Sequence, residues 1–427
     1  MQPELESAAP AMEYRNLCAS CCPPTSVTPH WAKTKANSEV NIIKNSSKRQ
    51  VMLVVGASGI VGRAALELFD QLPGWGAIGI SRRVPDLPDV EHIALDLTNV
   101  EACARVAAKL HQVTHVIYAA LFEKPGLLAG WTEPDQMQTN LQMLKNIMVP
   151  LQRSALGLQH VSLLQGTKAY GAHVGKMRVP GKEQAPRVEH PNFYWLQEDW
   201  LKAQRAQAAW HFTIWRPPLI IGHAIGAPMN VLSVIGIYGA LAAASKNAVN
   251  DGFGWPGGVC GPIDAVDARL LARAFAWAVK AGKAEDAGND NFGAVRQAAM
   301  DQTFNVTNGD VFVPSGIWPR LAECFGLKTG ADNPQRLQDS LPPQAARWDQ
   351  LVATHELQAP ALDRFVGDSL IYTDVFFNAG NATPMPSPLL STIKLRQAGF
   401  NECLDSEDMF VQWLSRLQQM RVLPTPR

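Results

Sequence analysis

From residue 51 onward, apolar positions fall into short runs rich in β-branched residues, bounded by glycine, proline and polar positions. The first is VMLVVGA (51–57), and further runs read GAIGIS (76–81), HIALDL (92–97), THVIYAA (114–120), HVSLLQG (160–166), HFTIWRP (211–217) and TFNVTNG (303–309). Runs of this length without alternation are the pattern of strands buried on both faces. Segments of helical spacing separate most of them. Strand–helix alternation predicts right-handed crossovers and an α/β fold built on a doubly wound parallel sheet. The expected organisation is a core over 50–217 and a smaller, mainly helical lobe over 218–427, with 303–309 returning to the core sheet. The segments 218–300 and 310–427 read as helical and irregular.

Two segments depart from this pattern. Residues 1–49 are rich in proline, serine, asparagine and lysine and lack sustained periodicity, which predicts a disordered tail. The apolar run MNVLSVIGIYGALAAAS (229–245) is shorter than the roughly 20 residues a membrane span needs, so a buried helix is expected.

Composition narrows the class. Of 427 residues, 47% are apolar and 18% charged, enough to bury a sizeable core. Lys+Arg and Asp+Glu are both 38, so no net field draws nucleic acid or an anionic membrane surface. Seven scattered cysteines without a framework spacing fit a reducing, cytoplasmic setting. Cys18, Cys21, Cys22 and His30 supply only one knuckle of the two that a structural zinc site uses, so no metal is expected.

Candidate chemistry begins after the first strand. Gly56-Ala57-Ser58-Gly59-Ile60-Val61-Gly62 has the form G-x-x-G-x-x-G between a strand and a helix. Glycines there allow a tight turn and close backbone approach, and the helix N-terminus offers N–H donors to a pyrophosphate. This makes the fold Rossmann-type. At the end of the second strand, NAD binders commonly place an acidic residue for the ribose 2′-hydroxyl. This chain has Ser81-Arg82-Arg83, and two guanidinium groups favour a 2′-phosphate, hence NADPH. Asp96, after the third strand, is placed to accept from the adenine amino group.

Most enzymes of this fold carry Tyr-x-x-x-Lys on one helix, where the lysine lowers the tyrosine's pKa. Tyr14, Tyr118, Tyr170, Tyr194, Tyr238 and Tyr372 are followed four residues later by Cys18, Phe122, Val174, Glu198, Ala242 and Phe376, so the motif is absent. A second arrangement is available at the carboxyl edge of the sheet. Lys168 lies just past the fifth strand, and Tyr194 lies in the first turn of the next helix. Arg216-Pro217 reads as shaping the turn into the second lobe, and His211 and His223 read as structural.

On these residues the chain resembles the progesterone 5β-reductase and iridoid synthase family, atypical short-chain reductases. The resemblance runs from about Val51 to the C-terminus. Its markers are the glycine loop, Ser81-Arg82-Arg83, Thr114-His115-Val116, the Lys168 segment, Asn192-Phe193-Tyr194 with Glu198-Asp199, Arg216-Pro217 and Asn305-Val306-Thr307-Asn308-Gly309-Asp310. It implies catalytic roles for Lys168 and Tyr194. It implies cofactor contacts at Ser58, Gly59, Ile60, Arg82, Arg83, Asp96 and Leu97, and adds Gln165, Ile220 and Met229. The implied reaction is 1,4-reduction of an activated C=C bond in a small enone or enal. The sequence departs from the family at Gln165-Gly166-Thr167-Lys168-Ala169-Tyr170, one residue shorter than the usual Gln-Thr-Gly-x-Lys-His-Tyr, and at Trp195, where a second tyrosine is frequent. These changes touch the pocket, so the plant substrates do not carry over. A nucleotide-sugar epimerase or dehydratase, and a non-catalytic cofactor sensor on the same fold, stand as alternatives, and a homodimer is left open.

The arginine pair generates the first prediction. NADPH is expected to bind at least tenfold more tightly than NADH, about 1.4 kcal/mol, and replacing Arg82 and Arg83 with alanine should erase most of the gap. Equal affinities by titration calorimetry in the unmodified protein would sink the idea.

Overall fold

The computed structural model describes residues 50–175, 177–245, 252–279 and 298–426. The expected tail and the Cys18–His30 group lie outside them. The seven expected runs form strands of one sheet: β1 (Gln50–Val55), β2 (Trp75–Ser81), β3 (Glu91–Ala94), β4 (His115–Tyr118), β5 (His160–Leu164), β6 (His211–Arg216) and, after an intervening pair, β9 (Gln302–Asn305). Their order is β3-β2-β1-β4-β5-β6-β9, and every pairing is parallel. Except for β2, which ends with its run at Ser81, the strands stop short of their apolar runs at the carboxyl end, where the last residues turn out of the ladder into the loops above the sheet.

Strand periodicity explains the two-sided burial. In β1, Val51, Leu53 and Val55 belong to one core cluster and Met52 and Val54 to another, because successive side chains point to opposite faces. The first face is covered by α2 (Val100–Ala107), α3 (Pro134–Ser154) and α4 (Phe193–Arg205), and the second by α1 (Ile60–Gln71) and α6 (Ala268–Val279). A third cluster forms around α5 (Val231–Ala243), which carries most of the 229–245 run; its residues from Val231 to Ile237 are all buried. Among the described residues no helix is long and apolar enough to cross a membrane.

The segment 218–300 corrects the reading of helix and irregular chain. It carries a second parallel sheet of two strands, β7 (Leu219–Ile221) and β8 (Ala265–Asp267). Three residues are too few to show a period. The Asn305–Asp310 motif ties this region together. Asn305 accepts from Tyr170 Oη at 2.6 Å and donates to the Gly181 and Ser391 carbonyls, both at 3.0 Å. Asn308 accepts from the Asp267 N–H at 2.8 Å and donates to Ser406 Oγ at 3.1 Å. Asp310 accepts from the N–H of Ser406, which opens α8 (Ser406–Gln419), at 2.8 Å.

Arg216 does more than shape a turn. Its guanidinium is buried and donates to Glu198 Oε2 and Gln165 Oε1, each at 2.9 Å, while Glu198 also accepts from Lys202 at 2.6 Å and Arg187 at 3.2 Å. Burial alone would raise the Glu198 carboxyl, but Arg216 with Lys202 and Arg187 outweighs it and holds the pKa at about 2. A carboxyl depressed from 4.5 contributes stability that is present above pH 4.5 and lost as pH falls toward 2. Glu198→Ala leaves the Arg216 charge buried and unpaired. It is expected to cost about 3–5 kcal/mol at pH 7 in urea unfolding, with the deficit shrinking between pH 4.5 and 2. A loss below about 1 kcal/mol, the scale of an exposed pair, would contradict this account.

Candidate active site

A cavity of about 700 Å³ opens above the carboxyl ends of the strands, within the range typical of ligand sites. Its wall includes Gly56, Ser58, Gly59, Ile60, Arg82, Arg83, Asp96, Leu97, Gln165, Lys168, Tyr194, Ile220 and Met229. Of the expected site residues only Gly62 is off the wall, and it stands behind the loop. Gly56 has φ +93°, and a Cβ there would lie 2.6 Å from the Ala120 nitrogen; a Cβ on Gly62 would lie 2.1 Å from the Gly56 carbonyl oxygen. The loop is thus packed against β4 and against its own helix with no room for a methyl group, leaving the N-terminus of α1 beside the cavity. At the β2 end, Ser81 Oγ donates to the Arg83 carbonyl at 2.6 Å, and Arg83 Nη1 reaches the Gly226 carbonyl at 3.1 Å. Asp96 Oδ1 accepts from the Thr98 N–H and hydroxyl at 2.9 and 2.8 Å, fixing the turn after β3.

At the other end, one asparagine joins the two expected catalytic residues. Asn192 Oδ1 caps α4 by accepting from the Tyr194 N–H at 2.9 Å, and its Nδ2 donates to the Lys168 carbonyl at 2.6 Å. Gln165 Nε2 donates to the Tyr194 carbonyl at 3.0 Å. The Tyr194 hydroxyl comes down over Gly166, where an added Cβ would meet Tyr194 Oη at 3.5 Å. Burial, with Glu123 nearby, raises the Tyr194 pKa, so the hydroxyl stays protonated and can donate. Burial lowers Lys168 to about 8, against the opposing pull of Glu123.

The sequence assigns no site role to several wall residues: Glu123, Trp131, His173 and Tyr372. Lys168 Nζ stands 3.6 Å from the Trp131 ring centroid and 3.4 Å from Glu123 Oε1. Burial first, then Lys168 and His190, lower His173 to about 4. Tyr372 comes from α7 (Ser369–Phe376), and burial pushes it up to about 12. The one available signal was position, since Glu123 follows the carboxyl end of a central strand. His211 pairs with Asp301 and His223 with Asp86, each at 2.9 Å, away from Lys168 and Tyr194.

A glycine loop at a helix N-terminus, an arginine pair after β2, and a lysine and a tyrosine thus share one cavity above the sheet. The chain is an enzyme with a Rossmann fold that resembles the short-chain dehydrogenases/reductases. Residues 91–257 match the PRISE-like Rossmann-fold domain. The chain is homologous over most of its length to plant enzymes named (S)-8-oxocitronellyl enol synthase. It is 26% identical to that of Nepeta cataria over 419 residues, covering 92% of this chain and 97% of that one. It is 28% identical to that of Catharanthus roseus over 411 residues, covering 91% and 95%. The resemblance noted in the sequence is thereby borne out. Among solved structures, UDP-glucose 4-epimerase from Bifidobacterium longum in complex with NAD+ and UDP matches with TM-score 0.55 and 13% identity over 87% of this chain and 99% of that one. The Bordetella bronchiseptica enzyme WbmG in complex with NAD and UDP matches with TM-score 0.52 and 14% identity over 87% and 96%. At these identities the structures establish the fold alone.

Gly62→Ala should push the loop off the helix. An affinity loss for NADPH of tenfold or more by calorimetry is expected, about 1.4 kcal/mol. Unchanged affinity would mean that the loop is not a phosphate cradle.

Proposed function

We propose that this enzyme is an NADPH-dependent reductase that adds hydride to the β-carbon of a small enone or enal. The observation that carries the reading is that Tyr194 and Lys168 line one cavity, in a chain without Tyr-x-x-x-Lys. Gly56, Ser58, Gly59 and Ile60 would cradle the pyrophosphate, with Gly62 behind them allowing the loop to pack on its helix. Arg82 and Arg83 would hold the 2′-phosphate, with Asp96 and Leu97 at the adenine. Gln165, Ile220 and Met229 would line the nicotinamide half. The core over 50–217 would then carry the cofactor, and the lobe over 218–427 would close the substrate side.

When bound, the reduced nicotinamide supplies a hydride; the protein supplies placement and electrostatics. As charge moves onto the substrate carbonyl oxygen, the Tyr194 hydroxyl donates to it, a contribution of about 3–4 kcal/mol for a well-placed donor. A hydroxyl with a raised pKa suits this role, because it remains a donor while the oxygen becomes an enolate. The ammonium of Lys168 adds positive potential at the same end of the cavity. The relatives' name, enol synthase, describes a product of the same kind, with the charge or proton on oxygen. The fold is shared with nucleotide-sugar epimerases, but their tyrosine–lysine spacing has no match in this chain.

Tyr194→Phe keeps the ring and removes the donor. Turnover should fall about a hundredfold or more, with NADPH affinity nearly unchanged. With NADPH carrying deuterium at the transferred position, label should appear at the β-carbon of the product. Label on a carbinol carbon would mean ordinary ketone reduction, and activity on a nucleotide sugar alone would favour the epimerase reading.

A further inference from the structure

We infer that Glu123 is a positioning residue for Lys168: its buried carboxylate fixes the ammonium against the Trp131 ring, at the end of the cavity that Tyr194 lines, and keeps it charged. The inference deepens the reductase reading and rests on it for its catalytic consequence.

The pair Glu123-Lys124 looks in sequence like a solvated turn. Its two members part company in the fold. Lys124 turns outward to Glu133 and Asp135. The Glu123 side chain is only 3% exposed and lines the cavity. Such a carboxylate is costly unless paired and hydrogen-bonded. Helix α3 is built to hold it. Asn140 Oδ1 accepts from the Phe122 N–H and Asn140 Nδ2 donates to the Phe122 carbonyl, both at 2.9 Å. One turn earlier, Gln136 Oε1 accepts from the Lys124 N–H at 2.9 Å and Gln136 Nε2 donates to Glu123 Oε2 at 2.6 Å. Gly130 leaves the space this needs, because a Cβ there would lie 2.0 Å from Gln136 Oε1. The free oxygen, Oε1, faces Lys168 Nζ at 3.4 Å.

Two histidines and two tyrosines stand around Lys168 and its loop. His173, whose Nδ1 is buried without a partner, is held neutral with a pKa of about 4. His190 bonds the Lys168 carbonyl through Nε2 at 3.1 Å and lies 5.1 Å, ring to ring, from His173. Tyr194 and Tyr372 are raised and protonated. Among the described residues this leaves Glu123 as the anion that opposes the desolvation of Lys168. Removing its charge lets burial act alone, so the lysine should lose its proton about one pH unit or more earlier.

The test is competitive acetylation of Lys168 by acetic anhydride as a function of pH, read by mass spectrometry on the substrate-free protein. The unmodified protein should titrate near pH 8 at Lys168. Glu123→Gln should titrate about a unit or more lower, and Glu123→Asp should recover part of the difference if the shorter side chain still reaches. The alkaline limb of kcat for enone reduction should move in parallel. Identical Lys168 titration in the unmodified protein and Glu123→Gln overturns the inference, whatever the reaction proves to be. A shifted titration with an unmoved alkaline limb overturns the catalytic consequence. A shifted titration in a protein that reduces no enone upholds the Glu123–Lys168 pair and overturns the reductase reading.

Discussion

Arg216 and Glu198 are the contact on which the site depends. One is the last residue of β6 and the other lies in the second turn of α4, and both are buried with their side chains 2.9 Å apart. Two charges removed from water carry a large desolvation cost, offset only when geometry and further hydrogen bonds are good. Here Gln165, Lys202 and Arg187 complete the set. The consequence is positional. The pair draws α4 down onto the sheet, Gln165 locks the backbone of Tyr194 to the loop after β5, and Asn192 links that loop's Lys168 to the start of the helix. Tyrosine and lysine thus share the cavity without occupying adjacent turns of one helix.

The same economy of buried polar groups runs through the rest of the cavity. Gln136 and Asn140 of α3 face the loop after β4, and Asn146 of the same helix donates to the Leu97 carbonyl at 2.8 Å in the loop after β3. One helix that covers the sheet with Leu144, Ile147 and Leu151 therefore also sets two loops of the cavity rim with its polar positions. Across the molecule, the Asn305–Asp310 segment does the same for β8 and α8. A buried amide satisfies donor and acceptor needs of two loops at once, which is why such positions shape a site without touching its contents.

The electrostatics follow from low exposure. Tyr194 and Tyr372 are kept neutral, His173 is kept neutral, Lys168 is weakened as a base holder, and Glu123 is raised, in each case with burial as the largest cause. Around Tyr194 the cavity thus presents the Lys168 ammonium with its Glu123 partner and protonated hydroxyls.

What the sequence by itself determined is local. The seven strands were legible because a strand buried on both faces needs a run of apolar residues, whatever its neighbours are. The glycine loop was legible because Gly56 and Gly62 lack room for a Cβ within a seven-residue span, and Ser81-Arg82-Arg83 because its charge sits at a strand end. Lys168 and Tyr194 could be named from the motifs around them. What only the tertiary structure decided is pairwise and distant. Glu123 meets Lys168 across 45 residues, and Arg216 meets Glu198 across 18. β7 meets β8 through strands of three residues that carry no readable period. A side chain's partner depends on which crossover brings two loops to the same edge of the sheet, and no local pattern encodes that choice. Glu123 reads as a solvated charge beside Lys124 until the fold closes over it, and only then do its burial and its contact with Lys168 exist.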